Sequence, residues 1–297
     1  MRKLAIKTRA NKRETEHYGY IALYTADQQL DKTYNDQESF YLRSCIKAIQ
    51  AKVCQDILLD DLENEFLTIA ASSHLATEEQ LNVLKKMQNK FSIDANELIC
   101  GTKSNSNSIQ FKTKMHNYCS GKHMAFIAAC KKAGYEKNYY ELSHPLQTKV
   151  LEELKSLSCV SNIDTAIDGC GLPTFFMSIA DLAKIFTEAA QKNIYQKIFQ
   201  TINNYSHLIS KQGRFDQELM QKKPQEFFAK SGAEGMILVN NLISYETLVI
   251  KVLDGNSRIK DLVAQKILEE LGWLKKDAVK LDNNIYNSQG LVVGEII

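Results

Sequence analysis

From Gly19 to Tyr34 the chain reads GYIALYTADQQLDKTY, short β-favouring runs around a polar turn, and this pattern predicts an opening hairpin. At Ser44 the period changes. Ile46, Ile49, Val53 and Ile57 recur at helical intervals and form one apolar stripe, with Ser44 and Lys47 together on another face. An amphipathic helix beginning at that serine is expected. Between residues 78 and 213 the period is mostly helical: TKSNSNSIQ (102–110) reads as a polar loop, and Pro145 and Pro173 stand where helices could begin, the second of them apolar. GMILVN and ETLVIKV then read as strands, SRIKDLVAQKILEELG as a helix ending at Gly272, and GLVVGEII as a last strand. Strands at both ends and helices between predict a mixed α/β (α+β) fold. Its sheet lobe comes from about 1–43 and 214–297, its helical lobe from about 44–213, and with no flexible linker the whole of 1–297 reads as one domain.

Composition narrows the function without naming it. A chain of 297 residues that is 44% hydrophobic can bury a large core, and 37 basic against 35 acidic residues leave a charge of only +2. Neither a nucleic acid nor a membrane is called for, so a small-molecule partner is expected. The basic opening MRKLAIKTRANKRE is followed by no apolar run of signal-peptide length, which predicts a cytoplasmic protein whose first residues are a solvated, partly disordered arm. Seven cysteines without a secretory signal read as reduced thiols, most of them small buried apolar residues. Repeats, a phosphate-binding P-loop and a dinucleotide fingerprint are all missing from the sequence.

Four short stretches carry candidate chemistry. In RSCIK, Ser44 precedes Lys47 by three residues, so on a helix the hydroxyl and amine are neighbours. Burial and nearby positive charge lower a lysine's pKa until it can accept a serine proton; the competing reading is a helix cap followed by a solvated lysine. KSGAEG, from Lys230, precedes an apolar strand and is similar to the K-T-G element that accompanies S-x-x-K in serine β-lactamases and penicillin-binding proteins. CSGKH at 119–123 sets Cys119 one helical turn from His123, and spacing alone would pair these two as zinc ligands. DGCGLPT at 168–174 combines an acid, a thiol and a sharp turn.

CSGKH followed some fifty residues later by DGCGLPT resembles the bacterial class 3 L-asparaginase family, the Rhizobium etli type. The resemblance runs on through RSCIK, SSH at 72–74, HPLQ at 144–147, GRFDQELM at 213–220 and KSGAEG. It implies a fold similar to the serine β-lactamases and penicillin-binding proteins, with an antiparallel sheet, a homodimer, and hydrolysis of the side-chain amide of L-asparagine. By motif, Ser44 matches the nucleophile and Lys47 its base, while Ser73 and Lys230 match a second Ser-Lys pair that relays protons. Backbone N–H groups at the start of the Ser44 helix and along the strand after Lys230 would stabilise the oxyanion. The resemblance points to Cys119, Lys122 and Cys170 as ligands of a substrate-positioning Zn2+, with water completing the shell, against the simpler reading of two neighbouring thiols at turns. Ser120 is then not the nucleophile. His123 and Asp168 are expected at the substrate's α-amino or α-carboxylate end, and Arg43 is either a carboxylate binder or a surface arginine. The chain departs from the family pattern at Leu75 and Ala76, at Ala48, and at Asp216, where the Rhizobium protein has a cysteine. A glutaminase or other small-amide hydrolase on this scaffold, and a non-catalytic zinc-dependent amino-acid sensor, are the alternatives.

Overall fold

Strand β1 (Arg2–Arg9) turns back into β2 (Lys12–Tyr24) through Ala10 and Asn11, both with positive φ (46° and 61°), the left-handed pair a tight hairpin turn requires. The basic opening is therefore a strand and not a solvated arm. Its charges face acids across the ladder, Lys3 on Glu16 and both Lys7 and Arg9 on Glu14, which is why a segment that looks like a charge run folds as an edge hairpin. The chain is described by a computed structural model over residues 1–102, 112–276 and 278–297; most of the expected TKSNSNSIQ loop, from 103 onward, lies outside the described residues. The hairpin expected at 19–34 forms between the end of β2 and β3 (Leu30–Asn35). A short β4 (Ser39–Tyr41) follows, and then a single 3-10 turn, Arg43–Ile46, leads into α1 (Lys47–Leu58).

Helix α1 departs from expectation. Lys47 to Ala51, Val53 and Cys54 are all buried, so it is a core helix and not a half-exposed amphipathic one. The cause is its neighbours: α2 (Asn64–Ala71) on one side, α4 (Ser120–Ala133) and α5 (Pro145–Ser158) on others, while α3 (Glu78–Lys90) packs outside α2. Pro145 does open a helix. Pro173 does not: it begins β6 (Pro173–Ser178), which lies between β4 and β5 (Asp164–Ile167) in a small antiparallel sheet. Thr174, Phe175, Phe176 and Met177 favour extended backbone, and the helix starts only after Ser178 caps the N–H of Asp181, giving α6 (Ile179–Ala190).

After α7 (Asn193–Asn204) and α8 (Phe215–Lys222) come β7 (Phe227–Ser231), β8 (Met236–Asn241) and β9 (Thr247–Val252). The main sheet runs β1-β2-β9-β8-β7, antiparallel throughout, with β3 also on β2. It is drawn from both chain ends, as expected. The ends meet directly, for Ile6 and Ile297 exchange two backbone hydrogen bonds beside the ribbon of β10 (Asn284–Tyr286) and β11 (Val292–Glu295).

Successive residues of β7 point to opposite faces of the sheet. Phe228 stacks on Phe186 and Phe199 of α6 and α7, at 5.7 and 4.5 Å between centroids, while Phe227 stacks on Trp273 just beyond α9 (Ser257–Glu270). The helical region thus covers one face and α9 the other, burying β8 and β9 on both sides. Each ring pair adds about 0.5–1.5 kcal/mol beyond its area burial. By the same alternation Lys230 points toward the helical region and Ser231 toward α9.

Candidate functional site

Three elements meet where α1 begins, α2 ends and β7 crosses beneath them. After Ala71 the chain extends through Ser72, Ser73 and His74, and this stretch is tied down at several points. The Ser73 N–H donates to Ile209 O at 2.9 Å, and the Gln80 side chain accepts from Leu75 and Thr77 N–H while donating to the carbonyls of Leu208 and Ser210. His74 accepts the Ala76 N–H at Nδ1, so Nε2 carries the ring proton and donates to Ser120 Oγ at 2.9 Å; Ser120 in turn donates to Met115 O. Ser120 is fully buried in this brace, consistent with its expected lack of a nucleophilic role.

The result is a hydroxyl held between two lysines. Lys47 Nζ lies 3.2 Å and Lys230 Nζ 3.0 Å from Ser73 Oγ. Lys47 also donates to Ser72 O at 2.5 Å and Tyr118 O at 3.4 Å, and Lys230 to Ser231 O at 2.7 Å. Both amines are almost wholly buried, 1% and 0% exposed. Burial pushes the Lys47 amine down from the usual lysine range, and burial followed by the charge of Lys47 brings Lys230 down to about 8. A lysine at about 8 can take up and release a proton close to neutral pH.

Ser44 is placed differently. It is half-buried on the 3-10 turn one helical turn from Lys47, and among the described residues its hydroxyl has no hydrogen-bond partner. The Ser44–Lys47 spacing therefore brings the residues to one place without bonding them. Next to it Arg43 has φ +48°, a left-handed conformation that costs a non-glycine residue on the order of 1 kcal/mol. That turn sends its guanidinium to Asp168, Nε to Oδ1 at 2.6 Å, with Glu234 at 3.9 Å. Arg43 is thus held against Asp168 and largely withdrawn from solvent, where a surface arginine was the other reading. Asp168 is half-buried; desolvation works against its charge, yet Lys122 and Arg43 hold its carboxyl below the usual range.

CSGKH forms the first turn of α4. Its glycine is there for contact: a Cβ on Gly121 would stand 2.4 Å from the Ile69 carbonyl, so only glycine lets α4 lie this close to α2. Cys119 stands beside Cys170, and Lys122 Nζ donates to Cys170 Sγ at 3.3 Å. The Cys119 contact brings the Cys170 thiol down to about 5, despite burial and with help from Lys122; burial opposes the Lys122 charge, but the two sulfurs raise its pKa. Among the described residues no group of three or more His, Cys, Asp and Glu is placed to hold a metal; beside the two thiols stands the Lys122 amine, which donates to Cys170 and would have to lose a proton to act as a ligand. Two sulfurs and one nitrogen converging in this way fit a tetrahedral Zn2+ with one position open.

His123 is drawn away from the thiols. Its Nδ1 pairs with the Tyr139 hydroxyl at 3.0 Å, and that hydroxyl also accepts the Ile99 N–H. Among the described residues Nε2 has no hydrogen-bond partner, and burial of the ring pushes its pKa down to about 3. The imidazole is therefore neutral, and its Nδ1 pairs with Tyr139 and not with Cys119.

Two residues of the site, Gln80 and Lys260, carry no motif; His74 and Asp216 fall within SSH and GRFDQELM, though no role was expected of them. Lys260 left a signal, since Val263, Ala264 and Ile267 follow it at helical intervals and place it on the apolar face of α9.

The sequence pattern of the L-asparaginase II family matches residues 5–297. A comparison with curated proteins finds no match. Among solved structures, the chain is similar to a β-lactamase from Mycobacterium bovis (11% identity, TM-score 0.45, 85% of this chain and 94% of that one) and to a putative β-lactamase from Bacteroides dorei (10%, 0.42, 84% and 93%).

Proposed function

Because the chain belongs to the L-asparaginase II family, whose members are asparaginase-type amidohydrolases, we propose that it converts L-asparagine and water to L-aspartate and ammonia by acyl transfer at Ser44. The observation that carries this reading is the buried Lys47–Ser73–Lys230 chain, one turn from an unpartnered serine hydroxyl. Ser44 Oγ attacks the amide carbon while its proton passes to Lys47. The C–N bond then breaks, ammonia leaves with that proton, and water cleaves the acyl ester to release aspartate. In that second step the proton of the attacking water passes through Lys47 to Ser44 Oγ, so Lys47 ends neutral as it began, with Ser73 and Lys230 as the relay that holds it in place. The two N–H groups that follow Lys230 are already engaged, Ser231 with Asp216 and Gly232 with Met236 O, so the oxyanion reading rests on the helix start at Ser44.

Arg43 is assigned to the α-carboxylate and Asp168 to the α-ammonium group, with His123 acting through water from beneath. Cys119, Lys122 and Cys170 would hold Zn2+, which when bound supplies positive charge that anchors substrate; the thiolate character of Cys170 supports this set. The family resemblance also supports a cytoplasmic homodimer, to be checked by light scattering. Among the described residues no helix is long and apolar enough to cross a membrane.

The test is ammonia release from purified protein with L-asparagine and, separately, L-glutamine, using Ser44→Ala as control. Release from asparagine, lost by about 10⁴-fold or more in the variant, is expected. A variant that folds and keeps near wild-type turnover removes Ser44 from the nucleophile's role. Glutamine differs by one methylene, which a pocket discriminates by only about 1–3 kcal/mol, so its rate defines the substrate range.

A further inference from the structure

Behind Lys230, on the opposite face of β7, lies a third buried lysine that the reaction scheme does not use. Lys260 of α9 is 1% exposed, and its Nζ donates to Ser231 Oγ at 2.9 Å and to Asp261 Oδ1 at 2.5 Å. Ser231 is also the residue whose carbonyl accepts Lys230 at 2.7 Å. Its N–H donates to Asp216 Oδ2 at 3.1 Å, and Asp216, itself 1% exposed, takes Ser210 Oγ and the Gln217 N–H on Oδ1. The Asp216 carboxylate therefore lies in the field of two buried lysines, Lys230 and Lys260, which hold it ionised against the effect of burial.

We infer that Lys260, Ser231 and Asp216 form a buried support that keeps Lys230 against Ser73 and balances its charge, with Lys260 as a positioning residue of the reacting centre. The inference rests on the reading of Lys230 as a proton carrier there. An unpaired charge in this interior would be costly, and the Asp216 carboxylate, acted on by both lysines, divides its attraction between them. Lys230 faces Lys47 from α1, Cys45 from the 3-10 turn, Cys119 from the head of α4 and Asp216 from α8, while Lys260 and Asp261 act from α9 through the strand. Removing Lys260 leaves Asp216 as counter-ion to Lys230 alone, so Lys230 keeps its proton to higher pH. Removing the Asp216 charge has the reverse effect. Loosened packing has no reason to move the two in opposite directions.

The experiment titrates the Lys230 side chain by 13Cε-lysine NMR in the full-length protein, its signal assigned by loss in Lys230→Met. Lys260→Met is expected to raise the midpoint by about one unit, Asp216→Asn to lower it, and Lys260→Arg, which keeps the charge, to leave it near wild type. In parallel, the acid limb of kcat/KM for asparagine should follow the same signs, with kcat changing and KM holding. Midpoints that do not move, or that move together, overturn the inference; if Lys260→Met fails to fold, the direction in Asp216→Asn decides. If the wild-type protein releases no ammonia, the proposed function fails, and the titration still settles whether Lys260 governs Lys230.

Discussion

Lys47 and Lys122 occupy matching places, each buried in the first turn of a core helix, α1 and α4, yet their environments push them opposite ways. For Lys47, burial together with the charge of Lys122 outweighs the opposing pull of Cys119 and Cys170, so its amine is pushed below the usual lysine range. Lys122 is as deeply buried but faces two thiols and Asp168, and it stays an ammonium. Depth alone does not make a lysine a base; the sign of its neighbours decides.

The comparison can be broken at its strongest point with Lys47→Arg. An arginine keeps the charge and cannot deprotonate, so kcat is expected to fall by about 10³-fold or more with folding intact. An arginine variant that turns over at near wild-type rate would show that position 47 needs only a cation. Next in size is Cys170→Ser, which removes the thiolate that holds Lys122 charged. Its affinity for Zn2+, read by titration against a chromophoric chelator, should drop by about 100-fold, and unchanged binding would separate the sulfur cluster from the metal. Third is the pH profile. Lys230 is depressed to about 8, so it is neutral above that pH and protonated below it; kcat/KM should rise with pH and level off above about 8, losing about tenfold per unit on the acid side. A profile flat from pH 6 to 9 would contradict the lysine centre. The smallest effect expected is from Gly121→Ala, where the added methyl meets the Ile69 carbonyl and should cost about 1–3 kcal/mol of stability, seen as a lower Tm. It should disturb zinc binding more than the Ser73 triad, because Gly121 lies between Cys119 and Lys122.

Much of this was legible along the chain, for identifiable reasons. The strands at residues 236–241 and 247–252 and the helix from 257 follow from apolar runs and period, which are local properties. Pro173 misled because the proline signal fits a helix start and a strand start alike, and the β-favouring TFFM after it was the better guide. The N-terminal arm misled for a different reason: its basic residues looked solvated until the acids of the next strand came opposite them. Site residues with a motif could be named in advance. Lys260 could not, and Asp216 was marked only as a departure from the family pattern, since the partners of both lie on other elements.

Residue order by itself determined which groups this protein carries at fixed short spacing: Ser44 one turn before Lys47, Cys119 beside Lys122, and glycine at 121, where α4 meets α2. Tertiary structure alone decided what those groups are chemically. Ser73 becomes the hydroxyl between two lysines only when α2 ends over β7, and Lys47 and Lys122 differ only through side chains brought in from distant segments. The physical reason is that proton affinity in a buried site depends on desolvation and on charges within a few ångströms, and those distances do not exist until the chain has folded.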